Sequence, residues 1–221
     1  MVGLKLSFRG TSAGNDQEVN FSAKSKGDDS NYSNDNLECS MLSECDKVFK
    51  ATKVSESSDC IILLKRGKLL MRNCSITLSM MVKNFKSDLT SVASLEDTEL
   101  VMEDCEIKGK IDMNCLGMYV NKGNISLKRV TIRDFKRGGL IISNKKTNIN
   151  HISSCHITFN KSVGILLMGD NKQTIIEDSN IERNECPGIQ ILPANKSVIR
   201  NNSICINTHG IKITSADPTI F

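Results

Sequence analysis

Two pairs of acidic residues are the first candidates for acid–base chemistry in this chain: Glu103 with Asp104, and Glu177 with Asp178. Cleavage of a glycosidic bond needs two carboxyl groups about 5–10 Å apart, one as the acid and one as nucleophile or base. Whether these groups reach that spacing depends on how the fold stacks the segments that carry them. Polysaccharide binding or cleavage is therefore a hypothesis that the fold must decide.

The histidines and cysteines offer less. None of His151, His156 and His209 has an evident nucleophile beside it, so we expect hydrogen-bonded or solvated structural roles for all three. The nine cysteines form no C-x-x-C pair and no Cys/His cluster at zinc spacing. The sequence therefore predicts no metal site, no catalytic residue and no cofactor, and buried thiols of a reducing compartment.

An internal repeat organises most of the chain. Its motif is an apolar residue, a small or apolar residue three positions later, and an apolar residue two beyond that. The third position advances by 31, 25, 25, 24 and 23 residues. The six copies are Met71/Cys74/Ile76, Met102/Cys105/Ile107, Leu127/Val130/Ile132, Ile152/Cys155/Ile157, Ile176/Ser179/Ile181 and Ile199/Asn202/Ile204.

A second signature follows each copy, usually glycine, apolar, any residue, apolar. Its glycines are Gly117, Gly139, Gly164, Gly188 and Gly210, with weaker versions lacking glycine at 60–63 and 91–94. A leucine-rich repeat would need a helical return arm, but the gaps hold turn-forming and β-branched residues. Asn160, Asn184 and Asn207 recur three residues after the motif, as in a stacked amide column. We predict an all-β fold, a right-handed parallel β-helix of about six to seven coils.

The domain organisation follows from this repeat. Residues 58–221 are predicted to form the β-helix domain, and residues 1–57 an N-terminal strand, a flexible polar segment near 10–37 and a candidate cap. The strand is indicated by Val2, Leu4, Leu6 and Phe8, which alternate with other residues. A signal peptide would need a solid apolar run there, so we expect a cytoplasmic protein. No stretch approaches the about 18 apolar residues of a membrane helix.

The outward position of the glycine-initiated strand carries the candidate site. Coil by coil it holds no carboxylate, and the two acidic pairs lie on coils about 14 Å apart, so we expect no enzyme. Its apolar part should be covered by the Met80–Phe85 loop, by the Val2–Phe8 strand, or by a partner protein. The column reads Ile62, Ala93, Tyr119, Ile141, Leu166, Gln190 and Lys212, and the predicted partner-binding residues are Ile62, Tyr119, Ile141, Leu166 and Lys212.

Charge patterning favours a structural explanation over a nucleic-acid site. The net charge is only +4, and outward residues beside the motif alternate in sign from coil to coil, which favours one register. A basic cluster makes RNA or DNA binding a third and weaker hypothesis; it contains Lys128, Arg129, Arg133, Lys136 and Arg137.

The last coil, Ile199 to Ile213, is predicted to contact another subunit or chain, or to continue into a longer protein. Its inward residues Ile204, Ile211 and Ile213 would otherwise face water, at about 1.5–3 kcal/mol for each fully exposed side chain. Ile220 and Phe221 are the residues that could fold across this end instead.

Residues Val198 to Ile204, followed by Gly210-Ile211-Lys212-Ile213, resemble the parallel β-helix repeat of pectate lyases and polygalacturonases. They also resemble the carbohydrate-binding and sugar-hydrolase-like modules of the Shc-binding protein and F-box β-helix families. The resemblance covers roughly residues 58–215 and is specific for the fold. Its intracellular branch implies scaffolding and association with cytoskeletal or signalling proteins, and its secreted branch implies polysaccharide binding or degradation.

Overall fold

The computed structural model describes residues 2–8, 17–23, 60–64, 67–79, 89–95, 98–144, 148–170 and 173–221. Their regular structure consists of 22 β-strands, numbered β1 to β22 along the chain. Among the described residues there is no apolar helix of membrane-spanning length.

The strands form three sheets. Sheet 1 contains β1 (Val2–Phe8), β2 (Gln17–Ala23), β5 (Cys74–Ser79), β8 (Glu106–Lys108), β11 (Thr131–Arg133), β14 (His156–Thr158), β17 (Asn180–Glu182) and β20 (Ser203–Cys205). Sheet 2 contains β4 (Gly67–Arg72), β7 (Thr98–Glu103), β10 (Asn124–Lys128), β13 (Ile149–Ser153), β16 (Gln173–Glu177), β19 (Val198–Arg200) and β22 (Thr219–Ile220). Sheet 3 contains β3 (Cys60–Leu64), β6 (Leu89–Ser94), β9 (Cys115–Asn121), β12 (Leu140–Asn144), β15 (Ile165–Gly169), β18 (Ile189–Ile191) and β21 (Ile211–Ile213).

Each coil passes through sheet 2, then sheet 1, then sheet 3, and the next coil stacks on it in parallel. Sheets 2 and 3 have seven strands each, which agrees with the predicted six to seven coils. The core is the stack of inward residues, among them Ile107, Ile132, Ile157 and Ile181 of sheet 1, all with zero exposure. The predicted parallel solenoid is confirmed.

The first repeat motif spans the corner between sheets 2 and 1. Met71 ends the inward face of β4, Asn73 turns the chain with φ of 52°, and Cys74 opens β5. Every later coil has one residue of positive φ at the same place, which short polar side chains tolerate best. These residues are Asp104, Arg129, Ser154, Asp178 and Asn201, with φ of 51–53°.

A ladder of asparagines fixes the next corner, between sheets 1 and 3. Asn160 Nδ2 donates to Asn184 Oδ1 at 2.9 Å, and Asn184 Nδ2 donates to Asn207 Oδ1 at 3.0 Å. The backbone amides of Asn160 and Asn184 donate to the same oxygens at 3.2 and 2.9 Å. Phe135 takes this position one coil earlier, and its amide donates to Asn160 Oδ1 at 3.1 Å. The predicted amide column therefore joins consecutive coils through both side chain and backbone.

The glycines of the second signature are required by this ladder. A Cβ on Gly164 would lie 2.6 Å from Gly188 O and 2.9 Å from Asn184 Nδ2. Likewise, a Cβ on Gly139 would lie 2.8 Å from Gly164 O. Each coil can therefore approach the next at this corner only where the side chain is absent.

The N-terminal residues correct two expectations. Strand β1 forms as predicted, but it pairs antiparallel with β5 and β2 and so extends sheet 1, rather than lying across the outward column of sheet 3. Strand β2 lies inside the segment 10–37 that was predicted to be flexible; its alternating Val19, Phe21 and Ala23 were the signal that was missed. The candidate cap and the Met80–Phe85 loop lie outside the described residues.

We expect Gly164→Ala to destabilise the protein by about 2 kcal/mol, because the new methyl group would overpack the corner. Gly210→Ala is the matched control, since its Cβ would meet nothing closer than Ile204 Cγ2 at 3.9 Å. Urea unfolding followed by circular dichroism measures both changes. Equal effects of the two substitutions would contradict the close-approach explanation.

Candidate interaction surface

The candidate site is a column on the outer face of sheet 3. Backbone pairing places Tyr119 beside Ile141, Ile141 beside Leu166, and Leu166 beside Gln190. The column continues to Ala93 at one end, where the side chain is buried, and to Lys212 at the other. Tyr119, Ile141 and Leu166 are half-buried, and Lys212 is exposed. The structure therefore brings four of the five predicted partner-binding residues into one line.

Ile62 does not belong to this line, which corrects the sequence prediction. Ile62 pairs with Val92, a fully buried residue, and it packs against the core. The backbone register instead pairs position 63 with Ala93 of the column. The first coil has no glycine to mark the start of the strand, and the register was therefore placed one residue early.

A second outward column, not predicted from the sequence, lies on the same face. Asn121, Ser143 and Met168 are paired across β9, β12 and β15, two residues beyond Tyr119, Ile141 and Leu166. All three are half-buried. The period-two alternation of a strand could have indicated this column. Together the two columns form a face with an apolar centre and small polar or sulfur-containing residues beside it.

The acidic pair Glu103 and Asp104 is bound by basic residues of neighbouring coils. Arg129 Nη2 contacts Glu103 Oε1 at 2.7 Å, and Arg129 Nε contacts Asp104 Oδ1 at 2.5 Å. Arg72 and Lys128 contact Glu103 at 3.2 and 3.6 Å. The hydrogen bond from Arg129 holds the pKa of both carboxyl groups below its usual range. We name this group of five residues the Glu103 cluster.

The other acidic pair is similarly engaged at Glu177. Its carboxylate contacts His151 Nε2 at 2.7 Å and Arg200 Nη2 at 2.5 Å. The hydrogen bond with His151, followed by that with Arg200, lowers the pKa of Glu177. Glu103 and Glu177 stand three strands apart in one column, which places them about 14 Å apart along the stack. That separation exceeds the range for a pair of glycosidase carboxyl groups.

The comparisons with known proteins identify the fold family. A family model described as a right-handed β-helix region matches residues 40–221, which is most of the chain. This chain belongs to the right-handed β-helix family. The match begins earlier than the predicted domain boundary at residue 58. Neither a curated protein nor a solved structure matches the chain significantly.

Three of the five residues of the basic cluster form ion pairs with acidic residues. Besides Lys128 and Arg129, Arg133 contacts Glu106 Oε1 and Asp134 Oδ2, each at 2.7 Å. The pair of Arg133 with Glu106 joins neighbouring coils and so favours one register of their strands. Less of the positive charge of this cluster is therefore available to the phosphate groups of a nucleic acid than the number of basic residues suggests.

Two of the three histidines make side-chain hydrogen bonds of the kind that the sequence predicts. His151 contacts Glu177, and His156 Nε2 contacts Glu182 Oε1 at 3.3 Å, both across neighbouring coils. His209 accepts a hydrogen bond from the Gly188 amide through its backbone oxygen. Within the described ranges, no three His, Cys, Asp or Glu side chains are grouped so that they could hold a metal ion.

A cavity lined mainly by apolar residues lies beside the C-terminal coil. Strand β22 pairs with β19, but Ile220 and Phe221 remain 45% and 78% exposed rather than covering the coil. The cavity has a volume of about 290 Å³ and lies between them and the core. It is lined by Ile199, Asn202, Ile204, Gly210, Ile211, Ile220 and Phe221.

We expect Arg129→Asn to lower the melting temperature by about 1–4 °C near neutral pH, since it removes the shared partner of Glu103 and Asp104. Asparagine tolerates the positive φ of this position. Because these carboxyl groups have lowered pKa values in the folded protein, their contribution exists above the unfolded pKa and disappears as the pH falls through the folded pKa. The difference from wild type should therefore vanish in acid.

Thermal unfolding between pH 2 and pH 8 at low salt measures this difference. Lys136→Asn serves as the control, because it makes the same change in charge at an exposed lysine of a nearby turn. A loss of stability with Arg129→Asn that is constant across the pH range would contradict an electrostatic role for the Glu103 cluster.

Proposed function

We propose that this β-helix is a non-catalytic protein-interaction or scaffolding module that binds a partner protein through the outer face of sheet 3. The observation that carries the proposal is the line of Tyr119, Ile141 and Leu166 on three consecutive coils. Their spacing of about 4.8 Å makes a rigid apolar strip roughly 10 Å long. Interfaces are enriched in such clusters, with tyrosine as a frequent anchor.

The surroundings of this strip suit a protein partner. Gln190 and Lys212 continue the column as polar residues, and Asn121 and Ser143 lie beside it. An apolar centre with a polar border is the usual anatomy of a protein interface. A rigid β-sheet also presents these side chains without the entropy loss of ordering a loop.

The charged faces support the same proposal indirectly. Arg129 satisfies Glu103 and Asp104, and His151 and Arg200 satisfy Glu177, so these carboxylates stabilise the stack. Polysaccharide binding or degradation of the pectate lyase or polygalacturonase type would need another acidic pair. An assay for glycan binding and cleavage distinguishes this alternative function from protein binding.

The resemblance to the Shc-binding protein and F-box β-helix families extends the proposal to its setting. We infer a cytoplasmic scaffold associated with cytoskeletal or signalling proteins. The last coil is a second candidate contact, because the cavity beside Ile204 and Ile211 offers apolar surface next to the exposed Lys212. Lys212→Asp should weaken a contact made there while leaving the core unchanged.

We expect Leu166→Lys to reduce retention of a partner protein at least about tenfold, since it introduces a charge into the apolar strip. The measurement is affinity capture from a native extract with quantitative mass spectrometry. Ile175→Lys is the matched control: Ile175 is also half-buried and outward, but it lies on sheet 2. Proteins retained by wild type and by Ile175→Lys, but lost with Leu166→Lys, would support the proposal.

A parallel assay tests the alternative chemistry. The purified protein is incubated with polygalacturonate and heparin, and new reducing or unsaturated sugar ends are quantified. Release of such ends, or glycan binding unaffected by Leu166→Lys, would overturn the proposal in favour of a polysaccharide-active protein.

A further inference from the structure

Three cysteines share one column at the corner between sheets 2 and 1. The pairing of Ser75 with Glu106 makes Cys74 and Cys105 direct neighbours on the first two coils of β5 and β8. The next residue in the column is Val130, and Cys155 follows it. Cys74 and Cys105 therefore stand next to each other, whereas Cys155 is separated from Cys105 by one apolar residue.

The Cys105 thiol faces the preceding coil, which carries Cys74. Cys105 Sγ lies 3.6 Å from Met71 O of that coil. Cys74 Sγ lies 3.1 Å from Arg72 O, and Cys105 Sγ lies 3.2 Å from Glu103 O. Both residues are buried, with exposures of 6% and 3%. Adjacent parallel strands are about 4.8 Å apart, which falls within the Cα separations that disulfides span.

We propose that Cys74 and Cys105 form an oxidisable dithiol that closes to a disulfide joining the first and second coils under peroxide. One thiolate attacks hydrogen peroxide, which cleaves the O–O bond, forms a sulfenic acid and releases hydroxide, which becomes water on protonation. The second thiol then attacks the sulfenic sulfur, which forms the S–S bond and expels a second water. Two thiols are oxidised and one peroxide molecule is reduced.

The environments of the thiols favour this pair over Cys155. The hydrogen bond from Cys74 lowers the pKa of Cys105, which increases the reactive thiolate. Burial raises the pKa of Cys155 to about 11. Cys155 also lies two coils from Cys105, about 10 Å away, beyond the reach of a disulfide.

The disulfide would join the first coil of the parallel stack covalently to the second coil. It would close a loop that contains β6 and β7, and so tie the first coil to the core through a covalent link. Because the closed loop is long, the disulfide should raise the melting temperature of the oxidised protein by about 5 °C or more.

Peptide mapping tests the proposal directly. The folded protein is treated with hydrogen peroxide, the remaining thiols are alkylated, and trypsin is added without reductant. Trypsin places Cys74 in residues 73–83, Cys105 in residues 87–108 and Cys155 in residues 147–161, with one cysteine in each. We expect a linked species of the first two peptides, and the third peptide alkylated.

Two variants test whether the link requires the Cys74 thiol and whether thiols on adjacent coils are close enough to react. Cys74→Ser should abolish both the linked peptide and the rise in melting temperature. Val130→Cys, which puts a thiol between Cys105 and Cys155, should produce new links from residues 130–133 and so confirm that adjacent coils are within reach. Random linkage among all cysteines, or oxidation of Cys74 and Cys105 to acids without a link, would overturn the proposal.

Discussion

The parallel backbone pairing between successive coils is the constraint on which the rest of this molecule depends. Each strand of the parallel stack bonds to its counterpart 21 to 31 residues later, so a residue stands above the same position of the next coil. A side-chain amide stabilises the stack only if the residues at the same position of neighbouring coils can form hydrogen bonds with it, as Asn160, Asn184 and Asn207 do. A side chain at the glycine corner is excluded for the same reason, since Gly164 faces Gly188 O.

The same stacking decides what the charged residues can do. A carboxylate on one coil meets the residue of the next coil at about 4.8 Å, and here that residue is often basic. Glu103 and Glu177 are consequently held by Arg129 and by Arg200, with lowered pKa values that favour the charged form. Outward charges therefore act as register elements, whereas Tyr119, Ile141 and Leu166 form an uncharged line on the outer face of sheet 3.

The fold was predictable because one coil's pattern is repeated on the next. The motif residues and the asparagine column could be placed from spacing alone, and so could the line from Tyr119 to Leu166. Ile62 was misplaced because its coil lacks the glycine that sets the start of the strand, and a shift of one residue turns a side chain to the other face. The pairing of β1 with β5 depends on contacts between distant segments, which no local period reveals. Spacing places Cys74 and Cys105 at one motif position of successive coils, but only the structure shows that the Cys105 thiol is buried facing the preceding coil.

The distance between spin labels on two coils tests the stacked register most directly. Arg72 and Arg200 lie in one outward column of sheet 2, and the intervening members are Glu103, Lys128, Ser153 and Glu177. With nitroxides at Arg72 and Arg200, double electron–electron resonance should give a mean separation near 24 Å, five spacings of about 4.8 Å. Moving the second label to Glu177 should shorten it by about 5 Å, one spacing of the stack. Two distances that do not scale with the number of coils would contradict the account.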